Sequence, residues 1–236
     1  MAVELAASGF GLFLTYHARR EECERTAALA VEAARSAGRS ITVRVDPLDL
    51  ADQASVDGYA AQVRAALGGG ALDALVHNAS RYEETPLGSL TAGAVESMHR
   101  VEVVSPLLLT VALRDHLARS SLRGGGSVVF FGDMFALGRA RPGFTGYMLA
   151  KASVETLARQ LAVELAPAVR VHCIAPGVIL WPEAFPEDAK AAVLARTPLG
   201  RAGTPEDAAR LVRFLALEAA FMTGETIALD GGRALR

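Results

Sequence analysis

The chain has little of what marks a secreted, metal-binding or polyanion-binding protein. Only two cysteines occur in 236 residues, Cys23 and Cys173, far apart and without metal-ligand spacing. That pattern argues against a disulfide framework and for a reduced, cytoplasmic protein. Five histidines form no ligand pattern, so no metal is expected. No run approaches the ~18 uninterrupted apolar residues of a membrane helix. The first residues do not read as a signal peptide: Glu4 stands in the charged region, and Ser8 and Gly9 break the apolar stretch. Net charge is −2 with Lys and Arg scattered, which leaves nothing to attract a nucleic acid. No linker, repeat or low-complexity tract divides the chain, so residues 1–236 read as a single domain.

Hydrophobic residues, at 51%, are ample for one large core. Strand-like runs fall at Gly11–Tyr16, Ile41–Val45, Ala71–His77, Ser127–Gly132, Val169–Ala175 and Glu225–Asp230. Amphipathic stretches near 20–37, 52–66, 91–119, 146–166 and 204–219 alternate with them. Apolar strands alternating with helices predict an α/β fold, a parallel sheet covered on both faces. Ligands bind beyond the carboxyl ends of such strands, where this chain is polar, small or Gly-rich. Residues 1–8 read as the last turns of a helix, followed by a Gly-containing turn.

Tyr147 and Lys151, in GYMLAKAS, stand at i and i+4 and share a helix face. A lysine beside a phenol favours the phenolate, which predicts a lowered tyrosine pKa and a usable general acid or base. The spacing alone also fits a surface pair. Its context is HNAS at 77–80, a strand ending in Asp133, IAPG at 174–177 and TGETIALDGG at 223–232.

These ordered motifs resemble those of the short-chain dehydrogenase/reductases, along the whole chain. Within that superfamily the chain looks most like the pteridine reductases. An Asp, Asp133, stands where most relatives have a catalytic serine, GVILWPE follows IAPG, and TYHAR ends a strand. The resemblance implies a Rossmann-type, doubly wound parallel sheet. It also implies a first strand and a TGxxxGxG loop, neither of which is in the sequence given; Met1 would fall inside the helix after that loop. A misplaced start, a shortened chain or a natural short form would each give this. The central strand of the family's sheet would then be missing, leaving a void or a strained closure between Gly11–Tyr16 and Ala71–His77, and residues 1–236 alone would bind NADPH weakly or undetectably.

Residue by residue, the resemblance implies Asp133, Tyr147 and Lys151 as the catalytic group. His17, Arg19 and Arg20 replace the acidic residue that accepts from the ribose in NAD enzymes, so NADPH is the expected cofactor. Asp49 and Leu50 would edge the adenine, with Asp46 blurring the register. Asn78 and Ala79 would line the ribose side, Ser80 would contact ligand or cofactor phosphate, Lys151 would hold the nicotinamide ribose, and Val178 and Ile179 would approach the nicotinamide after the Pro176-Gly177 turn. Tyr82 would stack on a pterin, and Trp181 would belong to a substrate lid; both also fit bland roles, as an exposed loop tyrosine and a core filler. Two departures stand out. Glu102 occupies the place of an asparagine, so it pairs with Lys151, takes a proton or points to solvent. Asp133 precedes Tyr147 by 14 residues, one more than the family spacing.

The expected function is NADPH-dependent reduction of a C=N bond in a pterin or dihydrofolate-like substrate. Carbonyl or 3-oxoacyl-thioester reduction is the enzyme alternative, and a non-catalytic form unable to bind cofactor is the other. Apolar surface on the helices at 91–119 and 146–166 suggests a homotetramer or dimer.

Overall fold

The computed structural model describes residues 1–136, 138–182 and 185–236. Its strands are β1 (Leu12–Tyr16), β2 (Val43–Pro47), β3 (Ala74–His77), β4 (Gly126–Phe131), β5 (Val169–Pro176) and β6 (Thr226–Leu229). The helices are α1 (Ala2–Ala7), α2 (Arg20–Ser36), α3 (Gln53–Leu67), α4 (Ala92–His99), α5 (Ser105–Leu117), α6 (Thr145–Glu164), α7 (Glu187–Ala195) and α8 (Pro205–Leu217). All pairings are parallel, in the order β2-β1 in one sheet and β3-β4-β5-β6 in another.

Alternation along β4 and β5 shows why helices cover both faces. Val128, Phe130, Val171 and Cys173 face Val154, Ala158 and Leu161 of α6. Val129 and Ile174 face Leu5 of α1 and Val212 and Leu215 of α8. Opposite faces of one pleated strand are thus both apolar, as a doubly covered parallel sheet requires. The second layer is locked by Arg170, whose guanidinium donates to the carbonyls of Gly124, Leu215, Ala216 and Ala219. Those donors satisfy carbonyls at the end of α8 that have no partner inside the helix.

β1 and β3 do not pair. A cavity of about 350 Å³ lies between them, lined by Leu12–Thr15 on one side and Ala74–His77 on the other. Leu5 of α1 and Leu109 and Leu113 of α5 also line it. The expected void between these strands is therefore present.

Two sequence expectations need correction. The stretch at 91–119 is not one helix: α4 and α5 are joined by a wider π turn, Arg100–Val104, which carries Glu102 inward. Helix α7 was not foreseen; it starts after Pro186 without a side-chain cap and buries none of its residues.

Two histidines, half-buried His77 and fully buried His172, give the fold an acid sensitivity. His77 stacks on Phe130 at 4.7 Å and its Nε2 lies 2.9 Å from the Thr110 hydroxyl. That hydroxyl donates to the Pro106 carbonyl, so the histidine is the donor to Thr110. Burial pushes its pKa down to about 3. His172 is fully buried, and burial, then the Arg170 charge, pushes it down to about 4. Both stay neutral in the fold, while unfolded histidines bind a proton near pH ~6.5. Stability is then full above that pH and falls as pH drops towards the folded values, by up to about 1.4 kcal/mol per pH unit for each histidine. Urea unfolding should show a lower midpoint near pH 5 than near pH 7, and His172→Leu should reduce that drop by about half. An unchanged acid dependence in His172→Leu would count against this assignment.

Candidate active site

The carboxyl ends of β3, β4 and β5 bring together the residues singled out by sequence. Asp133 follows β4, and its Oδ1 accepts from the Phe135 backbone N–H at 2.8 Å. That short turn fixes the carboxylate, so that Oδ2 accepts from the Tyr147 hydroxyl at 3.0 Å. Tyr147 lies in the first turn of α6 and is buried. The additional residue between Asp133 and Tyr147 therefore does not separate them.

Lys151, one turn further along α6, is 2% exposed. Its Nζ donates to the Phe131 carbonyl at 2.8 Å and pairs with Glu102 Oε2 at 2.8 Å. Glu102, 4% exposed, also accepts at Oε1 from the Ser80 hydroxyl at 2.8 Å and the Arg81 N–H at 2.6 Å. Of the three fates open to Glu102 in the sequence, the ion pair is the one adopted. A buried charge needs a partner and further hydrogen bonds, and here both ends have them. Ser80, expected on the cofactor side, has its hydroxyl committed to Glu102.

The expectation of a lowered Tyr147 pKa is overturned. Burial raises it first, then the charge of Asp133, then the hydrogen bond to Asp133, with Glu102 adding to the effect. Lys151 stands 5.7 Å from the Tyr147 ring centre and is engaged by Glu102, so it does not offset these terms. The phenol is held as a neutral donor.

Tyr82 belongs to an aromatic group at the mouth of the site. Its ring stacks on Phe144 at 5.1 Å and meets the edge of Tyr147 at 5.2 Å, while half of the residue stays exposed. Arg141 lies against the same group and contacts the Tyr82 hydroxyl. Trp181 instead packs on Phe185, at 5.0 Å. Glu183 and Ala184, within the GVILWPE stretch and just after it, lie outside the described residues.

On the other side, residues 14–19 with Glu22, Cys23 and Thr26 line an open cavity of about 500 Å³ after β1. The basic side chains expected there have acidic neighbours: His17 lies 3.6 Å from Asp49, Arg19 3.3 Å from Glu22 and Arg20 2.8 Å from Glu24. Such exposed pairs are weak and can yield to a phosphate. Asp46 sits inside β2, whereas Asp49 and Leu50 follow it. Asn78 and Ala79 are exposed just past β3. Pro176 ends β5, and a Cβ on Gly177 would come within 2.9 Å of the Asp230 backbone, so only glycine permits that approach. Val178 and Ile179 follow it, half-buried. Among the described residues no glycine-rich strand-to-helix turn stands ready for a pyrophosphate.

Fold and site together define a short-chain dehydrogenase/reductase with a Rossmann-type sheet. The sequence profile described as Enoyl-(Acyl carrier protein) reductase matches residues 1–234, and the chain belongs to that family. It is similar to a (2S)-[(R)-hydroxy(phenyl)methyl]succinyl-CoA dehydrogenase subunit of Thauera aromatica, 34% identical over 79% of this chain and 74% of that one. It is also similar to dihydromonapterin reductase of Shigella boydii, 32% identical over 70% of this chain and 68% of that one. Among solved structures, a blue fluorescent protein from a metagenomic library in complex with NADPH has a TM-score of 0.82 and 29% identity. It covers 99% of this chain and 92% of its own. The chain is therefore an oxidoreductase of a family that binds nicotinamide cofactors.

Proposed function

We propose that the protein is an NADPH-dependent reductase of a pterin or dihydrofolate-like C=N bond. The observation that carries this reading is the Asp133–Tyr147 pair, which holds one proton on a buried phenol. An imine nitrogen must gain a proton as hydride reaches the neighbouring carbon, and a carboxylate-oriented phenol suits that need. The similarity to dihydromonapterin reductase supports the same direction.

The nicotinamide supplies the hydride when bound. Lys151 would hold its ribose, with Val178 and Ile179 beside its amide, and Asn78 and Ala79 along the ribose side. His17, Arg19 and Arg20 would take a 2′-phosphate, and Asp49 and Leu50 would edge the adenine. Tyr147 passes its proton to the substrate nitrogen while Asp133 keeps the hydroxyl in place. Lys151, released from Glu102, would stabilise the phenolate left behind. Tyr82 would stack on the substrate ring at the mouth, and Trp181 would sit in a lid. Exposed Val111, Leu149 and Val163 on α5 and α6 favour a homotetramer or dimer.

The test is NADPH oxidation, at millimolar NADPH, with dihydrobiopterin and with an acetoacetyl thioester. Faster turnover of dihydrobiopterin is expected, and a preference for NADPH over NADH. A protein that reduces only the thioester would shift the reading to carbonyl reduction, and one that reduces neither would remove the reductase reading.

A further inference from the structure

Among the described residues, arginines gather at the mouth of the site with no carboxylate in ion-pair contact. Arg141, three residues before Phe144, puts its guanidinium carbon 4.3 Å from the Phe144 ring centre, 4.9 Å from Phe135 and 5.2 Å from Tyr82. Arg233, beyond β6, lies over the same Phe135 ring at 5.6 Å. Arg139 donates to the Arg233 carbonyl at 2.8 Å. Among the described residues, none of Arg139, Arg141, Arg196 or Arg233 has a carboxylate within ion-pair distance, whereas Arg19, Arg20, Arg81, Arg201 and Arg213 do. Burial, then the charges of Arg141, Arg139 and Arg196, pushes the Arg233 pKa down, and the opposing influence is Asp133. Asp133 is already engaged by Tyr147 and the Phe135 N–H.

Assembling like charges is unfavourable, and stacking on aromatic faces offsets only part of that. The whole chain is slightly acidic, so the cluster does not follow from its composition. Guanidinium forks match carboxylate and phosphate oxygens in a planar, two-point contact. The cluster is also separate from the cations after β1, because its members follow β4, α7 and β6, and β4 and β6 belong to the other sheet.

We infer that the substrate is an anion whose carboxylate or phosphate group docks on Arg141 and Arg233 while its reacting end meets Tyr147. This inference deepens the reductase reading and rests on Tyr147 and Asp133 as the reacting end. It makes the anionic tail, not the ring alone, the feature that selects the substrate.

Calorimetric titration separates the two sources of charge. In the carboxylate arm, dihydrofolate is compared with the uncharged dihydrobiopterin. In the phosphate arm, acetoacetyl-coenzyme A is compared with its N-acetylcysteamine thioester. In one arm the anion should bind at least about tenfold more tightly at low salt, and Arg141→Gln/Arg233→Gln should abolish that preference. Circular dichroism melting checks that the double variant is folded. Equal binding in both arms, or an anion preference that survives the double substitution, would overturn the inference. NADPH oxidation that needs Tyr147 but ignores both arginines would remove this inference alone. Anion binding that needs the arginines, with no NADPH oxidation, would remove the reductase reading alone.

Discussion

Tyr147→Phe should lower turnover by about 10²–10⁴-fold, the range for loss of a positioned general acid, with substrate binding retained. The substitution removes only the hydroxyl that donates to Asp133. The ring keeps its contacts with Phe144 and Tyr82, so the fold and the aromatic mouth should persist. Steady-state kinetics should show the loss in kcat rather than KM, because the proton moves only in the transition state. Turnover within about threefold of the parent protein would show that another group supplies the proton.

Glu102 should give the second large effect, and its sign depends on the replacement. Glu102→Leu leaves the Lys151 ammonium buried with one carbonyl partner, and strands the Ser80 hydroxyl and Arg81 N–H. Breaking a buried pair from one side costs about 3–5 kcal/mol. Urea unfolding should register that loss. Glu102→Leu/Lys151→Met should recover much of it, because removing both charges removes the unpaired one. Glu102→Asn keeps an oxygen acceptor without the charge, so a smaller loss, about 1–2 kcal/mol, is expected. The lysine is then freer to approach Tyr147, and turnover should be preserved or raised. If Glu102→Asn abolished turnover and left NADPH binding intact, the carboxylate would be a required proton relay.

Six strands and the helices packed on them were legible because their apolar periodicities are strong. The void between β1 and β3 was legible only through the family resemblance, whose sheet has a strand at that place. The π turn at Arg100–Val104 was not, since a widened turn leaves the apolar spacing on either side nearly unchanged. Helix α7 has no side-chain cap and only a half-buried face, so its short signal, two acids after Pro186 and apolar residues at 189, 193 and 194, was passed over. Asp133, Tyr147 and Lys151 were found from spacing and context, but the direction of the Tyr147 shift was not. It depends on which group holds Lys151, and that is decided by a residue 49 positions earlier, Glu102. Arg141 and Arg233 were missed for a similar reason. The run GRARPG at 138–143 is basic, but nothing local shows that Arg233 returns to the same phenyl ring.

The central claim is that Asp133 and the diverted Lys151 keep Tyr147 a protonated donor. Ultraviolet difference titration tests it most directly, with Tyr147→Phe as the reference that isolates one phenol from the other tyrosines. An ordinary tyrosine is half ionised near pH ~10, and one dominated by a neighbouring lysine ionises well below that. The account predicts no phenolate signal from Tyr147 as the pH is raised to about 10. A Tyr147 phenolate appearing near neutral pH in the cofactor-free protein would contradict it.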